Sequence, residues 1–241
     1  MFIGHFGLGL AGKKIAPKVS LGTWLMAVQL VDIIWPTLLL LGVEKATLHP
    51  ELGGSRTIAF TYYPFTHSLL GAIGWSVAFG VAYRIITKSS QNAPLLSLAV
   101  FSHWVLDLIV HFHDLPLYPG STTYVGFGLW ANLPATAIIE TALFVTGIVL
   151  YFTSTTAKNR KGRLIIWLLI ILLVATHLYS FWAPPPASIK ALAWSAQVQW
   201  LFVLLAYWGD RNRTPKFIPP SGTSPDLPAP PVRSAIPSLP V

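Results

Sequence analysis

Residues 94–112 read PLLSLAVFSHWVLDLIVHF, and Asp114 follows closely behind. The run is apolar over about the 20 residues needed to cross ~30 Å of hydrocarbon. It nevertheless carries His103 and Asp107 four residues apart, and His111 and Asp114 continue the spacing. At 100° per residue these four side chains fall within an arc of about 80° on a helix, so one face is ionisable. Charge at that depth costs about 2.5–3.5 kcal/mol per residue even on a lenient insertion scale, and it persists where residues pair, bind an ion or line a cavity. The stripe predicts a membrane-spanning helix turned toward a buried polar site. Structural hydrogen bonding between helices is the plainer alternative, but four ionisable groups on one face exceed what packing needs.

The rest of the chain agrees with a membrane reading. Of 241 residues 54% are hydrophobic and 10% charged, against about 25% charged in ordinary soluble domains. The net charge of +8 comes from short basic clusters between apolar runs, a distribution that suits lipid headgroups and not nucleic acid. With no cysteine, any metal would need nitrogen and oxygen ligands. Six runs have spanning length: Leu21 to Val43, Thr66 to Ile86, Pro94 to Phe112, Phe127 to Phe152, Leu164 to Trp182 and Ile189 to Trp208. Met1 to Ala11 is apolar but short, and its positive charges, Lys13, Lys14 and Lys18, come after it; a signal peptide would carry them before. The expected fold is all-α, a polytopic membrane helix bundle of about six spans plus an amino-terminal half-helix over residues 1–208. A proline-rich, disordered cytoplasmic tail is expected over residues 209–241.

Lys and Arg set the expected orientation. Lys13, Lys14 and Lys18 precede the first span, Arg84 and Lys88 follow the second, Lys158 to Arg163 follow the fourth, and Arg211, Arg213 and Lys216 follow the sixth. The intervening loops hold few or none, so the positive-inside rule puts both termini in the cytoplasm. Trp24, Trp35, Trp75, Trp130, Trp182 and Trp208 read as interfacial anchors near span ends.

Other ionisable residues fall where the stripe could meet them. Asp32 sits mid-span with no Lys or Arg deep enough to pair with it, and therefore wants a cation. His67, in Phe65-Thr66-His67-Ser68, opens the second span from the outside. At 1.5 Å per residue Asp32 lies roughly 17 Å from cytoplasmic entry, His103 and Asp107 roughly 14 and 20 Å, and His5 about 12 Å beyond Lys13. All five, His5, Asp32, His67, His103 and Asp107, are expected to converge in the outer half of the bilayer. Glu140 is placed nearer the cytoplasmic half, in support of the site or apart from it. His177 reads as a neutral, hydrogen-bonded imidazole, and His49 and His113 as loop residues.

A histidine beside glycine at the amino terminus, an Asp in the next helix, Thr66-His67-Ser68, and Ser102-His103 with Asp107 together resemble the bacterial membrane-bound metal-dependent hydrolase family, inner-membrane proteins related to a LexA-regulated member. The resemblance covers roughly residues 1 to 140. A branch of small bacterial membrane proteins is similar in sharing Val-Ser-Leu-Gly-Thr at 19–23, Asp-Ile-Ile-Trp-Pro at 32–36, Asp-Leu-Pro-Leu at 114–117 and Gly-Phe-Gly-Leu-Trp at 126–130. The family shows Leu-Pro-Asp-x-Asp and a His-Arg-Gly before Thr-His-Ser. Here Asp32 stands alone and Tyr63-Pro64-Phe65 takes the second place, so one carboxylate and one histidine are missing and a single metal is favoured over two. The resemblance implies a divalent metal held by His5, Asp32, His67, His103 and Asp107, a set suited to zinc, iron or manganese. Asp107 or Asp32 is the candidate proton acceptor in hydrolysis, and a lipid-linked or amphipathic small molecule is the expected substrate. An ion- or proton-coupled transporter would use the same stripe. A structural membrane protein whose tail binds partners is the third reading.

Overall fold

The computed structural model describes residues 1–52 and 57–216. Ten α-helices and three short antiparallel strand pairs are found among them. Helix α1 (Ile3–Ile15) is the half-helix, and α2 (Leu21–Val28) and α3 (Leu30–Leu40) form the first span, bent by 56° at Gln29. The short α4 (Pro64–His67) leads into α5 (Leu69–Thr87), followed by α6 (Ala93–Val110), α7 (Leu133–Ser154) and α8 (Arg160–Trp182). The last span joins α9 (Ile189–Ala196) to α10 (Gln199–Arg211). Five segments are long and apolar enough to cross a membrane, and the bent α2–α3 pair makes six. The protein is an all-α membrane helix bundle.

Local signals start these helices where the sequence turns polar. Ser20, Ser68, Asn132, Asn159 and Ser188 each accept the backbone N–H three residues on, supplying a partner to a donor the helix cannot satisfy itself. The exterior is apolar: Leu70, Ile73, Val77 and Val81 all point outward along α5. A one-turn rhythm of exposed aliphatic side chains suits lipid contact and no aqueous surface.

Helix α1 is enclosed on nearly every side, with His5, Phe6 and Leu10 at 0% exposure. It packs so closely on α7 that a Cβ on Gly7 would lie 2.6 Å from the carbonyl oxygen of Leu143, and a Cβ on Gly147 would strike Gly7. Small residues let two backbones approach in this way, which lipid cannot drive by hydrophobicity alone. At its carboxy-terminal end Lys13 donates to the carbonyls of Pro17 and Val19 and to Asp210 Oδ2, each at 2.9 Å. Asp210 also accepts from Leu21 N–H and Tyr151 O–H.

At the same end of the bundle β5 (Thr155–Ala157) pairs with β6 (Arg213–Pro215). Arg213 is buried there, donating to Thr155 and the carbonyl of Gly162 and lying over the rings of Tyr151 and Phe152. Residues 209–216 thus belong to the bundle, because α10 runs on to Arg211 and the buried guanidinium ties the next strand down. The remainder of the expected tail, 217–241, lies outside the described residues. The opposite end carries two hairpins, β1 (Lys45–Leu48) with β2 (Ile58–Tyr62) and β3 (Leu115–Pro116) with β4 (Tyr124–Val125). Trp24 and Trp35 correct the anchor reading: both are buried, packed into the cores of the bundle and of the hairpin end, whereas Trp182 and Trp208 are exposed.

Candidate metal centre

The site lies toward the hairpin end, and four elements deliver it. Helix α6 supplies His103 and Asp107, with His111 as its C-cap; α1 supplies His5; α3 supplies Asp32 in its first turn; α4 ends on His67. His5, His103 and Asp107 each place one ligand atom within 4.8 Å of the others, and so do Asp32, His67 and His103. Asp107 is the hub. Its Oδ1 meets the Met1 amino group at 2.6 Å and His5 Nε2 at 3.2 Å, while its Oδ2 lies 3.1 Å from His103 Nε2 and 3.8 Å from both His67 Nε2 and His111 Nε2. Asp32 Oδ1 lies 3.2 Å from His67 Nε2 and 3.5 Å from His103 Nε2.

What holds the other side of each ring decides the chemistry. His103 Nδ1 lies 2.7 Å from the carbonyl of Val28, which can only accept, so the proton is on Nδ1. That carbonyl is beside the break between α2 and α3. His111 Nδ1 donates to Asp114 Oδ1 at 3.1 Å. His67 Nδ1 lies 2.7 Å from Thr66 Oγ1, whose single hydrogen goes to Glu44 Oε2 at 2.7 Å, so the imidazole must be the donor in that pair too. Three rings are thereby fixed with Nδ1–H outward and Nε2 inward, toward two carboxylates. A bare nitrogen facing a carboxylate oxygen at 3.1–3.8 Å is repulsive unless a cation lies between them or the ring carries a second proton. His5 differs: its Nδ1 has no partner, so its proton belongs on Nε2, donating to Asp107. Its ring stacks on His103 at 3.8 Å, nearly parallel.

The carboxylates are prepared as well. Pro36 has no N–H, so the carbonyl of Asp32, four residues back, loses its helical donor, and Gln199 Nε2 replaces it at 3.2 Å. Glu44, fully buried in the loop after α3, accepts from the N–H groups of Phe65 and Thr66 as well as from the Thr66 hydroxyl. Burial pushes its carboxyl above the usual range, and those donors offset only part of the rise.

Asp32, His67, Asp107 and His111 form one wall of a cavity of about 430 Å³. Trp35, Phe60 and Trp130 add aromatic surface, and Glu140, Thr176 and Gln199 face in from α7, α8 and α10. Of the two places left open for Glu140, in support of the site or apart from it, the structure shows the first: it lines the cavity. Its Oε2 accepts from the N–H groups of Phe2 and Gly4, at the amino end of α1. His177 also lines the cavity, with Phe2 and Phe181 against its ring, and its Nε2 has no partner where a hydrogen-bonded imidazole was expected. His49 and His113 are exposed or loop-bound and take no part.

Sequence reasoning assigned no role to Glu44, Gln199 or the Val28 carbonyl, and left His111 outside the ligand set although it lay on the stripe. Only His111 carried a signal. Comparison with known protein families, with curated proteins and with solved structures gives no match.

Proposed function

We propose that the protein is a metal-dependent hydrolase of the bacterial inner membrane, acting on an amphipathic ester or phosphoester that enters the cavity from the hairpin end. One observation carries the reading: His67, His103 and His111 each have Nδ1 anchored to a protein acceptor, leaving three bare Nε2 atoms beside Asp107 and Asp32. Metal-binding histidines are held in this manner, with the outward N–H fixed by a carbonyl or carboxylate. The residues fit a divalent ion, zinc, iron or manganese by donor type, with His67, His103 and Asp107 as its holders and His5 or His111 completing the set. Such an ion supplies Lewis acidity and acidifies water.

The two carboxylates divide the remaining work. Asp107 is 2% exposed and engaged at both oxygens, which makes it a holder; Asp32 is more open to the cavity, 21% exposed, and is the group able to accept a proton from an attacking water. The aromatic wall supports an apolar substrate body. The resemblance to the membrane-bound metal-dependent hydrolases supports the same reading, and the distribution of Lys and Arg supports cytoplasmic termini.

The test is elemental analysis of protein purified in mild detergent without chelator. Wild type should carry stoichiometric metal, and His103→Ala and Asp107→Asn less than about a tenth of it, with loss of hydrolysis on a panel of amphipathic esters and phosphoesters. Wild type that takes up no zinc, iron or manganese even on reconstitution would sink the proposal. The orientation is checked separately: because the chain lacks cysteine, Thr122→Cys should react with an impermeant reagent on intact cells and Ser90→Cys should not.

One feature favours ion transport as a second reading. Asp32 stands in the first turn after a 56° helix break, the arrangement by which discontinuous helices hold transported ions. Metal uptake into proteoliposomes, absent in Asp32→Asn, would support it over hydrolysis.

A further inference from the structure

The cavity is also lined by side chains rich in hydrogen-bond acceptors, among which the two hydroxyls have already spent their hydrogens. Thr176 donates to the carbonyl of Leu172 at 2.8 Å and Ser180 to that of His177 at 2.7 Å, so each hydroxyl has only lone pairs to offer. Gln199 gives one of its two amide hydrogens to the backbone carbonyl of Asp32, and its Oε1 is buried with no partner in a residue only 8% exposed. Glu140 Oε2 is held by Phe2 and Gly4, and no donor among the described residues reaches its Oε1. All four side chains line the cavity, and no Lys or Arg does. The Met1 amino group, also at the cavity, is committed to Asp107.

We propose that these side chains form a subsite for the head of an amphiphile bearing a protonated primary amine, whose apolar part lies along Phe60, Trp130 and Leu133. An anionic head would meet Glu140, Asp32 and Asp107 with no Lys or Arg in the lining to offset them. A hydroxyl head offers one hydrogen and no charge. An ammonium offers three N–H donors, matching the open acceptors, and the charge opposite to Glu140 in surroundings that tolerate a lone carboxylate poorly. A volume of about 430 Å³ lies in the range of small-ligand pockets and accommodates a head and the first part of a chain. The subsite names the substrate class for the hydrolytic reading and rests on it for that role, although binding of the amine needs no metal.

The test uses the full chain in lipid nanodiscs, metal removed by chelator, with empty nanodiscs correcting for partition. Radiolabelled dodecylamine should bind saturably, at least tenfold more tightly than dodecanol or dodecanoate. Glu140→Gln, which keeps the acceptor toward Phe2 and Gly4 but loses the charge, should weaken the amine at least tenfold and leave dodecanol unchanged. Thr176→Val, nearly isosteric, should weaken the amine about threefold and decides the matter if Glu140→Gln does not fold. Equal binding of amine and alcohol, or selectivity unchanged in the folded variants, overturns the proposal. Amine selectivity in a protein that takes up no metal would sink the hydrolase and keep the subsite; metal uptake without selectivity would do the reverse.

Discussion

Helix α1 has a buried ionic cluster at each end, and the two are built on opposite principles. At the Lys13 end every charge is answered. Lys13 has three acceptors, Asp210 has donors at both oxygens, and Arg213 uses three of its nitrogens and two aromatic faces. At the His5 end, Nε2 of His103, Nδ1 of His5 and both amide atoms of Gln29 lack hydrogen-bond partners, and a cavity adjoins them. Burial of charge is common to both, so burial alone does not mark a site. What separates them is surplus: a structural cluster closes its own hydrogen-bond account, whereas a binding site leaves like-natured groups converging on a point.

The two ends should therefore fail in different ways. The largest effect belongs to the closed end. Lys13→Met leaves Asp210 buried without its counter-ion and should destabilise the bundle by about 3–5 kcal/mol, read by thermal unfolding in detergent; the fraction that stays folded should keep its metal. Metal loss in that folded fraction would show that the ends are not separable.

At the open end, Thr66→Val removes the acceptor that fixes His67 while leaving every direct metal candidate in place. Metal affinity should fall by about 10- to 100-fold, and Thr66→Ser should restore it; ¹⁵N shifts of His67 would report the lost preference for Nδ1–H. An unchanged tautomer would mean that the hydroxyl does not set it.

The smallest effect is expected at His177, whose ring packs on Phe2 and Phe181 away from the carboxylate hub. His177→Ala should cost about 1–2 kcal/mol of stability and leave metal content unchanged, measured on the same preparations.

Much of this was legible before any coordinates. The α6 stripe is a local pattern, four residues on a 100° rotation, and so survives into the fold unaltered. Asp32, His67 and His5 stood out because the bilayer penalises them wherever they fall, and the structure brings all three to the stripe. Glu44 gave no such sign. It is an acid in a polar loop, and the Phe65 and Thr66 it serves are more than 20 residues away, a pairing set only when α3 and α4 meet. The bend at Gln29 was hidden for another reason: Pro36 marks the obvious weak point in that span, yet the chain repairs Pro36 with Gln199 and breaks seven residues earlier, at Gln29. Glu140 could not be assigned because the fourth span was counted from Phe127, whereas α7 begins at Leu133 and brings the carboxylate to the amino end of α1.

Helix α1 also measures a distance. Lys13, gripped by Pro17, Val19 and Asp210, is a stop at one end, and His5 is the mark eight residues, about 12 Å, along the rod. Deleting one residue between them would draw His5 about 1.5 Å along the axis and swing it about 100° around it, away from Asp107, and would carry with it the Met1 amino group that meets Asp107 and the Phe2 and Gly4 N–H groups that hold Glu140. The depth at which this imidazole stands is thus gauged from the opposite end of the bundle, by counting residues.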